Sequence, residues 1–169
     1  SDDSINDLKL ILDGKMVFEN LVIDQEKRWD IITKLCAYNF SDSKDLINKE
    51  ENKDIGDLGK KRAFAANVSL PDTTEKYKYW NMFVSEKQVE SSAYLRYGME
   101  GFFWHKQKDM LEPYVEKFFT NLKNIYETKD IHYSSHYSSI LFPMTMNAKK
   151  TLIQTESFMN ENKDLSKLC

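Results

Sequence analysis

The residues whose type and spacing best suit chemistry are two histidines, His132 and His136, in the sequence HYSSH. Residues four apart share one face of a helix, and this is the ligand spacing of the metal-binding motif H-E-x-x-H. That motif also needs a glutamate beside its first histidine, as general base on the metal-bound water, and Tyr133 stands in that place. The sequence offers no third ligand, so ordinary helix histidines are the favoured interpretation.

A second pair, His105 and Asp109, lies one helical turn apart. Lys106 and Lys108 flank the pair, which indicates a solvated helix face and not an acid–base site. The sequence also has no glycine-rich phosphate loop, no G-x-S-x-G nucleophile motif and no C-x-x-C pair. We therefore assign no catalytic and no metal-ligating residue to this chain.

Three arginines are the remaining candidates. Of 24 basic residues only Arg28, Arg62 and Arg96 are arginine, so the chain uses lysine wherever a plain positive charge suffices. Arginine differs by its planar fork, which pairs bidentately with carboxylates and carbonyl groups. Each arginine is therefore expected to have a geometric role. That role is either structural, in a salt bridge between helices or in capping the end of a neighbouring helix, or functional, in holding a carboxylate of a ligand.

Length and composition limit the fold and the partners. The 169 residues suit one domain, 1–169, and with 41% hydrophobic residues the chain can bury a sizeable core. Five glycines and three prolines are too few for the frequent turns of an all-β domain. The net charge of −3 argues against nucleic acid as a partner. The apolar runs are too short to span a bilayer, which argues against a membrane protein.

Two cysteines, Cys36 and Cys169, are too few for a disulfide framework. The acidic start of the sequence does not resemble a signal peptide, and together these features favour a reducing, cytoplasmic compartment. Because the sequence lacks an initiator methionine, we expect it to be a fragment of a longer protein.

Apolar periodicity and capping residues predict eight or nine helices and no convincing strand. The predicted helix N-caps are Asp24, either Ser41 or Ser43, and Asp72, which forms a capping box with Glu75. Gly101 is predicted to end the fifth helix. Pro113 is expected to begin a new helix, because proline does not fit deep in a helix interior. The predicted helices cover 24–40, 41–54, 57–70, 72–86, 89–103, 105–111, 113–129, 131–142 and 147–161.

Two of these helices carry clear apolar stripes. The stripes comprise Trp29, Ile32, Leu35 and Cys36 in one helix, and Tyr114, Val115, Phe118, Phe119, Leu122, Ile125 and Tyr126 in the other. Without basic residues interleaved on the same face, the aromatics of 101–122 are expected in the core and not in a stacking platform for bases; they are Phe102, Phe103, Trp104, Tyr114, Phe118 and Phe119. Many short helices in succession predict an all-α fold of stacked antiparallel pairs, a HEAT-like superhelix without significant sheet.

Several stretches resemble one known family. DQEKRW is similar to the acidic-x-x-x-Arg-Trp entry of the C-terminal helical domain of the aminopeptidase N family, the zinc metalloaminopeptidases related to alanyl, leucyl and endoplasmic-reticulum aminopeptidases. LGKKRAFAANVSLPDTTEKYKYWN resembles the next part of that domain. The clearest similarity is in LRYGMEGFFWHKQKDMLEPYVEKFF, which has the family's Arg, Gly-Phe, Gln, Pro-Tyr and aromatic pair. The later LFP also fits. The resemblance in order and spacing runs from Leu8 to Met159. Bacterial-type members are the most similar.

The resemblance implies a function for the whole enzyme and a role for this part of it. Such a domain packs over a catalytic zinc domain, encloses the active-site chamber, and limits or helps hold the peptide while the catalytic domain removes the N-terminal residue. The catalytic signatures H-E-x-x-H and G-x-M-E-N belong upstream and are absent here, and Gly101 follows the GME of Gly98 to Glu100. The resemblance therefore implies an enzyme whose zinc lies outside this chain, a fragment that is inactive alone, and as partners the upstream catalytic domain and peptide substrates.

Two alternatives remain open at the level of the sequence. A free-standing helical-repeat scaffold would bind a protein partner on its concave face. A small metal-binding helical protein would use His132 and His136. The length of the complete reading frame distinguishes the first alternative from the peptidase, and a zinc titration tests the second.

Overall fold

The computed structural model describes residues 2–85, 87 and 90–163. Within these residues the chain forms nine α-helices and one 3-10 helix, His105–Gln107, and no strand. In this part of the chain no helix is long and apolar enough to cross a membrane. The α-helices are α1 Asp2–Leu12, α2 Gln25–Ala37, α3 Ser43–Glu51, α4 Asp57–Ser69, α5 Thr73–Val84, α6 Ser92–Glu100, α7 Lys108–Thr128, α8 Ile131–Ile140 and α9 Ala148–Glu161.

Side-chain caps set where many of these helices begin. Asp24, Asp72, Ser91, Asp130 and Asn147 each accept a hydrogen bond from a backbone N–H in the first turn that follows. These bonds satisfy donors that have no partner within the helix. The predicted caps Asp24 and Asp72 are thereby confirmed, and so is Gly101 as the residue that ends α6.

The helices pack in two rows. In the first row α2 packs against α4, α4 against α6, and α6 against α8. In the second row α5 packs against α7 and α7 against α9, while α3–α4, α5–α6 and α7–α8 join the rows. The all-α class is confirmed, and the stacking of antiparallel helix pairs stays a prediction. The HEAT-like superhelix stays a prediction.

Two hydrophobic clusters form the core, and α4 contributes to both. The N-terminal cluster includes Trp29, Ile32, Leu35 and Cys36, the four stripe residues predicted for α2. The C-terminal cluster contains the buried members of the α7 stripe, which are Tyr114, Val115, Phe118, Leu122 and Ile125. Phe119 and Tyr126 are half-buried against it. Core packing is therefore confirmed for Phe102, Phe103 and the aromatics of α7, whereas Trp104 is half-buried outside both clusters.

The sequence placed the helix boundaries wrongly in two places. It assigned no helix to the first residues, where α1 forms. It also divided 105–111 from 113–129, whereas the 3-10 helix leads directly into α7 and Pro113 is the sixth residue of α7. At that position proline removes only one backbone hydrogen bond near the start of a 21-residue helix. The burial of the apolar stripe of α7 outweighs this loss.

Two capping predictions were also wrong. Neither Ser41 nor Ser43 caps α3, and the Ser43 hydroxyl instead donates back to the carbonyl of Phe40 at 2.7 Å. In the Asp72–Glu75 pair only the aspartate acts as a cap. The Asp72 N–H donates to the Leu70 carbonyl at 2.9 Å and is not available to Glu75. The ends of two predicted helices, at residues 86 and 89, and Cys169 lie outside the described residues.

Candidate functional site

A groove of about 510 Å³ runs along the first row of helices, between α2, α4 and α6. It brings together two of the three candidate arginines, Arg62 from α4 and Arg96 from α6. The lining residues are Glu26, Trp29, Asp30, Thr33, Lys34, Arg62, Ala65, Arg96, Tyr97, Glu100, Gly101 and Trp104. This groove is the candidate functional site.

Arg62 is held in the groove by one weak ion pair. Its Nη2 lies 3.2 Å from Oε1 of Glu26, whose side chain is 72% exposed. An ion pair with so exposed a partner contributes little to stability. The buried Nε of Arg62 has no hydrogen-bond partner among the described residues. Arg62 is therefore held by one exposed ion pair, for which a ligand carboxylate can compete.

Arg96 is oriented by its own helix. Its Nη1 donates to Oε1 of Glu100, one turn further along α6, at 2.7 Å. Its guanidinium lies 4.7 Å from the ring centre of Tyr97. Both members of the ion pair are partly exposed, so an incoming carboxylate can compete with Glu100 for the guanidinium.

Close contact between α4 and α6 sets the distance across the groove. A Cβ atom at Gly101 would collide with the carbonyl oxygen of Ala65, and one at Gly98 would collide with the Phe64 ring. Trp104 is fixed beside this contact, because its Nε1 donates to the Gly101 carbonyl at 3.0 Å. The glycine of the family-like Gly-Phe pair at 101–102 therefore has a structural reason, because α4 approaches its backbone too closely for a side chain.

The charges of the groove suit the binding of a charged ligand. Three basic side chains, Lys34, Arg62 and Arg96, line it together with three acidic ones, Glu26, Asp30 and Glu100. Guanidinium groups recognise carboxylates and carbonyl oxygens through directed hydrogen bonds. The arrangement can therefore hold an extended polar ligand that bears a negative group.

Arg28 lies outside this groove and makes strong internal contacts. Its Nε and Nη2 donate to the two carboxylate oxygens of Glu50 at 2.6 and 2.7 Å, and its Nη1 donates to the Leu12 carbonyl at 3.2 Å. The hydrogen bonds from Arg28 are the main reason that the pKa of Glu50 falls to about 2. With its donors directed at protein groups, Arg28 has a geometry suited to joining helices.

The histidines of α8 differ in their exposure. His132 is exposed and His136 is half-buried, and Nδ1 of His136 has no partner in the described part of the chain. Burial, and then the charge of Arg96, lower the pKa of His136. Among the described residues no three or more His, Cys, Asp or Glu side chains are grouped so that they could hold a metal ion. His105 is exposed as predicted, with Nδ1 3.1 Å from the Thr145 carbonyl.

The sequence analysis did not predict which polar residues are buried, and Lys76 and Gln107 are two examples. Lys76 has no exposed surface and donates to the Phe102 carbonyl at 2.5 Å. Gln107 donates to the carbonyls of Ala37 and Ser69 at 2.9 and 2.7 Å, and so ties the ends of α2 and α4 to the 3-10 helix. Helical spacing carried a signal for Lys76, which precedes the buried Trp80 and Phe83 by four and seven residues.

The comparisons with known proteins point to one family of aminopeptidase domains. Residues 1–168 match the family described as ERAP1-like C-terminal domain. The chain is also 26% identical over 153 residues to Aminopeptidase N of Streptomyces lividans. That alignment covers 90% of this chain but 18% of the relative, so the chain spans less than a fifth of that protein's length. Because the family match runs over nearly every residue, the chain belongs to the ERAP1-like C-terminal domain family, the helical domain of aminopeptidases that its sequence resembles.

Proposed function

We propose that this chain is the C-terminal domain of a zinc metalloaminopeptidase, where it encloses the active-site chamber and helps hold the peptide. Family membership and the similarity to an aminopeptidase support this proposal. The single observation that carries it is the groove, in which Arg62 and Arg96 lie on neighbouring helices. An extended peptide with a free carboxylate is a ligand whose shape and charge this groove fits.

The chemistry is assigned to a part of the enzyme that lies outside this chain. The described residues hold no set of ligands suited to zinc, so the metal of the proposed enzyme would be bound by a separate catalytic domain. The role of this chain is then to position the peptide and to limit its length. The purified chain, incubated alone with zinc and an aminoacyl-coumarin substrate, is expected to give no turnover. Turnover by the purified chain would contradict the assignment of catalysis to a separate domain.

The proposed grip is tested with Arg96→Lys and Arg62→Lys in the full-length enzyme. Each variant is expected to raise KM several-fold for a peptide with a free C-terminal carboxylate, because lysine cannot reproduce the planar fork. The same peptide with an amidated C-terminus and a short aminoacyl-coumarin are the controls, and their KM should not change. Equal effects on all three substrates, or none on any, would contradict a carboxylate grip at this groove.

A free-standing helical scaffold is the second candidate, because stacked helix rows present long faces to a partner. The length of the natural reading frame separates the two functions. A long frame with H-E-x-x-H before this domain supports the peptidase, and a gene that ends close to this length supports the scaffold.

A further inference from the structure

Lys76 on α5 is a lysine whose side chain has no exposed surface. Its Nζ donates to the carbonyl oxygen of Phe102 at 2.5 Å and lies 4.8 Å from the centre of the Phe102 ring. Burial lowers the pKa of this amine to about 7, and in the part of the chain that the structure describes no carboxylate offsets that effect. Lysine is rarely buried without a paired charge, so Lys76 costs stability, and what it supplies is its contact with Phe102.

The carbonyl of Phe102 depends on this lysine for a donor. Phe102 is fully buried and belongs to residues 101–104, the groove segment, which connects α6 to the 3-10 helix. Outside the helices, none of the backbone hydrogen bonds among the described residues ends on its oxygen. A buried carbonyl without a donor is costly, and an apolar side chain at position 76 would leave this one unsatisfied. Lys76 therefore anchors the groove segment from the core.

The other side of the groove segment forms part of the wall of the candidate groove. Gly101 and Trp104 both line that groove. Gly101 lies so close to α4 that a Cβ atom would collide with the Ala65 carbonyl oxygen. Trp104 donates from Nε1 to the Gly101 carbonyl at 3.0 Å. Because Phe102 lies between these two residues in the chain, a shift of its carbonyl would displace the groove wall.

We propose that Lys76 is a positioning residue of the groove, which keeps Gly101 and Trp104 in place for a bound peptide by holding the carbonyl of Phe102. This inference rests on the proposed function, because it takes the groove to bind the peptide. Lys76 itself touches no ligand, since it has no exposed surface. It acts through the groove segment, and a misplacement of about 1 Å in a positioning contact weakens function strongly.

Tyr133 provides a matched control for a purely structural role. It is buried on α8, and its hydroxyl donates to the carbonyl of Phe83 at 2.6 Å. Phe83 belongs to the same hydrophobic cluster as Phe102 but does not line the groove. Tyr133→Phe therefore removes one buried bond to a carbonyl and leaves the groove wall alone.

Kinetics of the full-length enzyme test the proposal. Lys76→Met and Tyr133→Phe are assayed with a long peptide that bears a free carboxylate and with a short aminoacyl-coumarin. We expect Lys76→Met to raise KM several-fold for the long peptide only, with kcat unchanged, because the groove segment contacts the body of the peptide and not the reacting bond. Tyr133→Phe is expected to leave KM unchanged for both substrates.

A second variant, Lys76→Gln, carries the test if Lys76→Met does not fold. Glutamine ends one bond short of the lysine amine, so its amide should hold the Phe102 carbonyl less well, and the same selective rise in KM is expected. Hydrogen exchange of the full-length variants, followed by mass spectrometry, is the direct structural measurement. Peptides that contain residues 101–104 should exchange faster in the Lys76 variants than in Tyr133→Phe, while the other helices keep their protection.

Several results would overturn the inference. They are an unchanged KM for the long peptide, an equal rise for the short substrate, an equal rise in Tyr133→Phe, and failure of both Lys76 variants to fold, which would make Lys76 a residue of the core alone. Arg96→Lys in the same assay separates the two proposals. A rise in peptide KM with Arg96→Lys but not with Lys76→Met contradicts the positioning role only, whereas no rise with either contradicts the proposed function as well.

Discussion

Arg28 and Glu50 join α2 to α3 through two parallel hydrogen bonds of 2.6 and 2.7 Å. The Glu50 side chain is 3% exposed, and Gln25 donates a further bond to it at 3.0 Å. Because Arg28 also donates to the carbonyl of Leu12, one guanidinium connects three helices. A buried pair of this kind fixes how helices are placed, and it is sensitive to the loss of either member.

Glu50→Gln is expected to lower the free energy of unfolding by about 3 kcal/mol at pH 7, because it leaves the Arg28 charge without its carboxylate in a largely buried place. Urea denaturation of the purified domain measures the change. The control is Asp57→Asn, which removes the exposed carboxylate paired with Lys61 and should cost less than about 0.5 kcal/mol. Equal losses in the two variants would contradict a special role for the buried pair.

The same pair predicts an acid dependence of stability. Arg28 holds the pKa of Glu50 at about 2, below its ordinary value of 4.5. The folded state therefore binds the proton less readily than the unfolded chain. The stabilisation is fully present above about pH 4.5 and is lost as the pH falls towards 2.

Denaturation curves between pH 6 and pH 2.5 test this dependence. The difference in stability between the wild-type protein and Glu50→Gln should shrink as the solution is acidified, since only the wild type has the titrating group. A difference that stays constant over this range would show that the carboxylate does not titrate with folding.

Lys76 predicts that stability also rises with pH, but in a higher pH range than for Glu50. Burial lowers its pKa from 10.5 to about 7, so between these values the unfolded chain binds more protons than the folded chain. The cost of burying the amine is complete below pH 7 and declines as the pH rises towards 10.5. Stability of the wild type is expected to gain about 2 kcal/mol from this group between pH 7 and pH 9.

Lys76→Met removes the titrating amine while keeping a long side chain over Phe102. Its stability, measured by urea denaturation at pH 7, 8 and 9, should lack the gain, so the two proteins' profiles diverge with pH. Tyrosines and other groups titrate alike in both proteins and cancel in the comparison. Parallel profiles would mean that Lys76 keeps an ordinary pKa in the folded state.

Much of the fold could be predicted because the apolar stripe of a helix depends only on the spacing of residues within that helix. Apolar residues three and four positions apart, such as Tyr114, Phe118 and Leu122, share one face, and burying that face fixes the helix. Caps are equally local: Asp24 accepts the bond of an N–H three residues later, whatever the rest of the chain does. Pro113 was misjudged because its local effect was weighed without the buried stripe of α7.

The candidate groove could not be predicted because it depends on which helices become neighbours. Arg62 and Arg96 are 34 positions apart, and no spacing within one helix shows that α4 packs on α6. The i, i+4 spacing of Arg96 and Glu100 was visible, yet it does not show that the pair borders a groove. Lys76 was missed for a related reason, since a lysine in a lysine-rich helix is normally solvated.

Gly101→Ala tests the close approach that sets the width of the groove. An added Cβ would collide with the backbone carbonyl of Ala65, which cannot move without shifting α4. We expect a loss of about 2 kcal/mol in stability, within the range for overpacked cores. Gly56→Ala is the control, because a Cβ there meets no atom closer than 4.0 Å. Thermal denaturation should place the control near the wild type, and similar melting temperatures for both variants would contradict the close contact.

Arg62→Lys and Arg96→Lys should change stability little, and this separates a ligand role from a structural one. Both arginines pair with partly or largely exposed glutamates, and such pairs contribute about 0.5 kcal/mol or less. For a domain of this size that corresponds to less than about 2 °C in Tm. Thermal unfolding of the purified domain measures it, with Arg28→Lys expected to lose clearly more because lysine cannot reproduce the two bonds to Glu50. Should the groove variants instead lose several degrees while peptide KM in the full-length enzyme stays constant, Arg62 and Arg96 would be structural and the proposed carboxylate grip would fail.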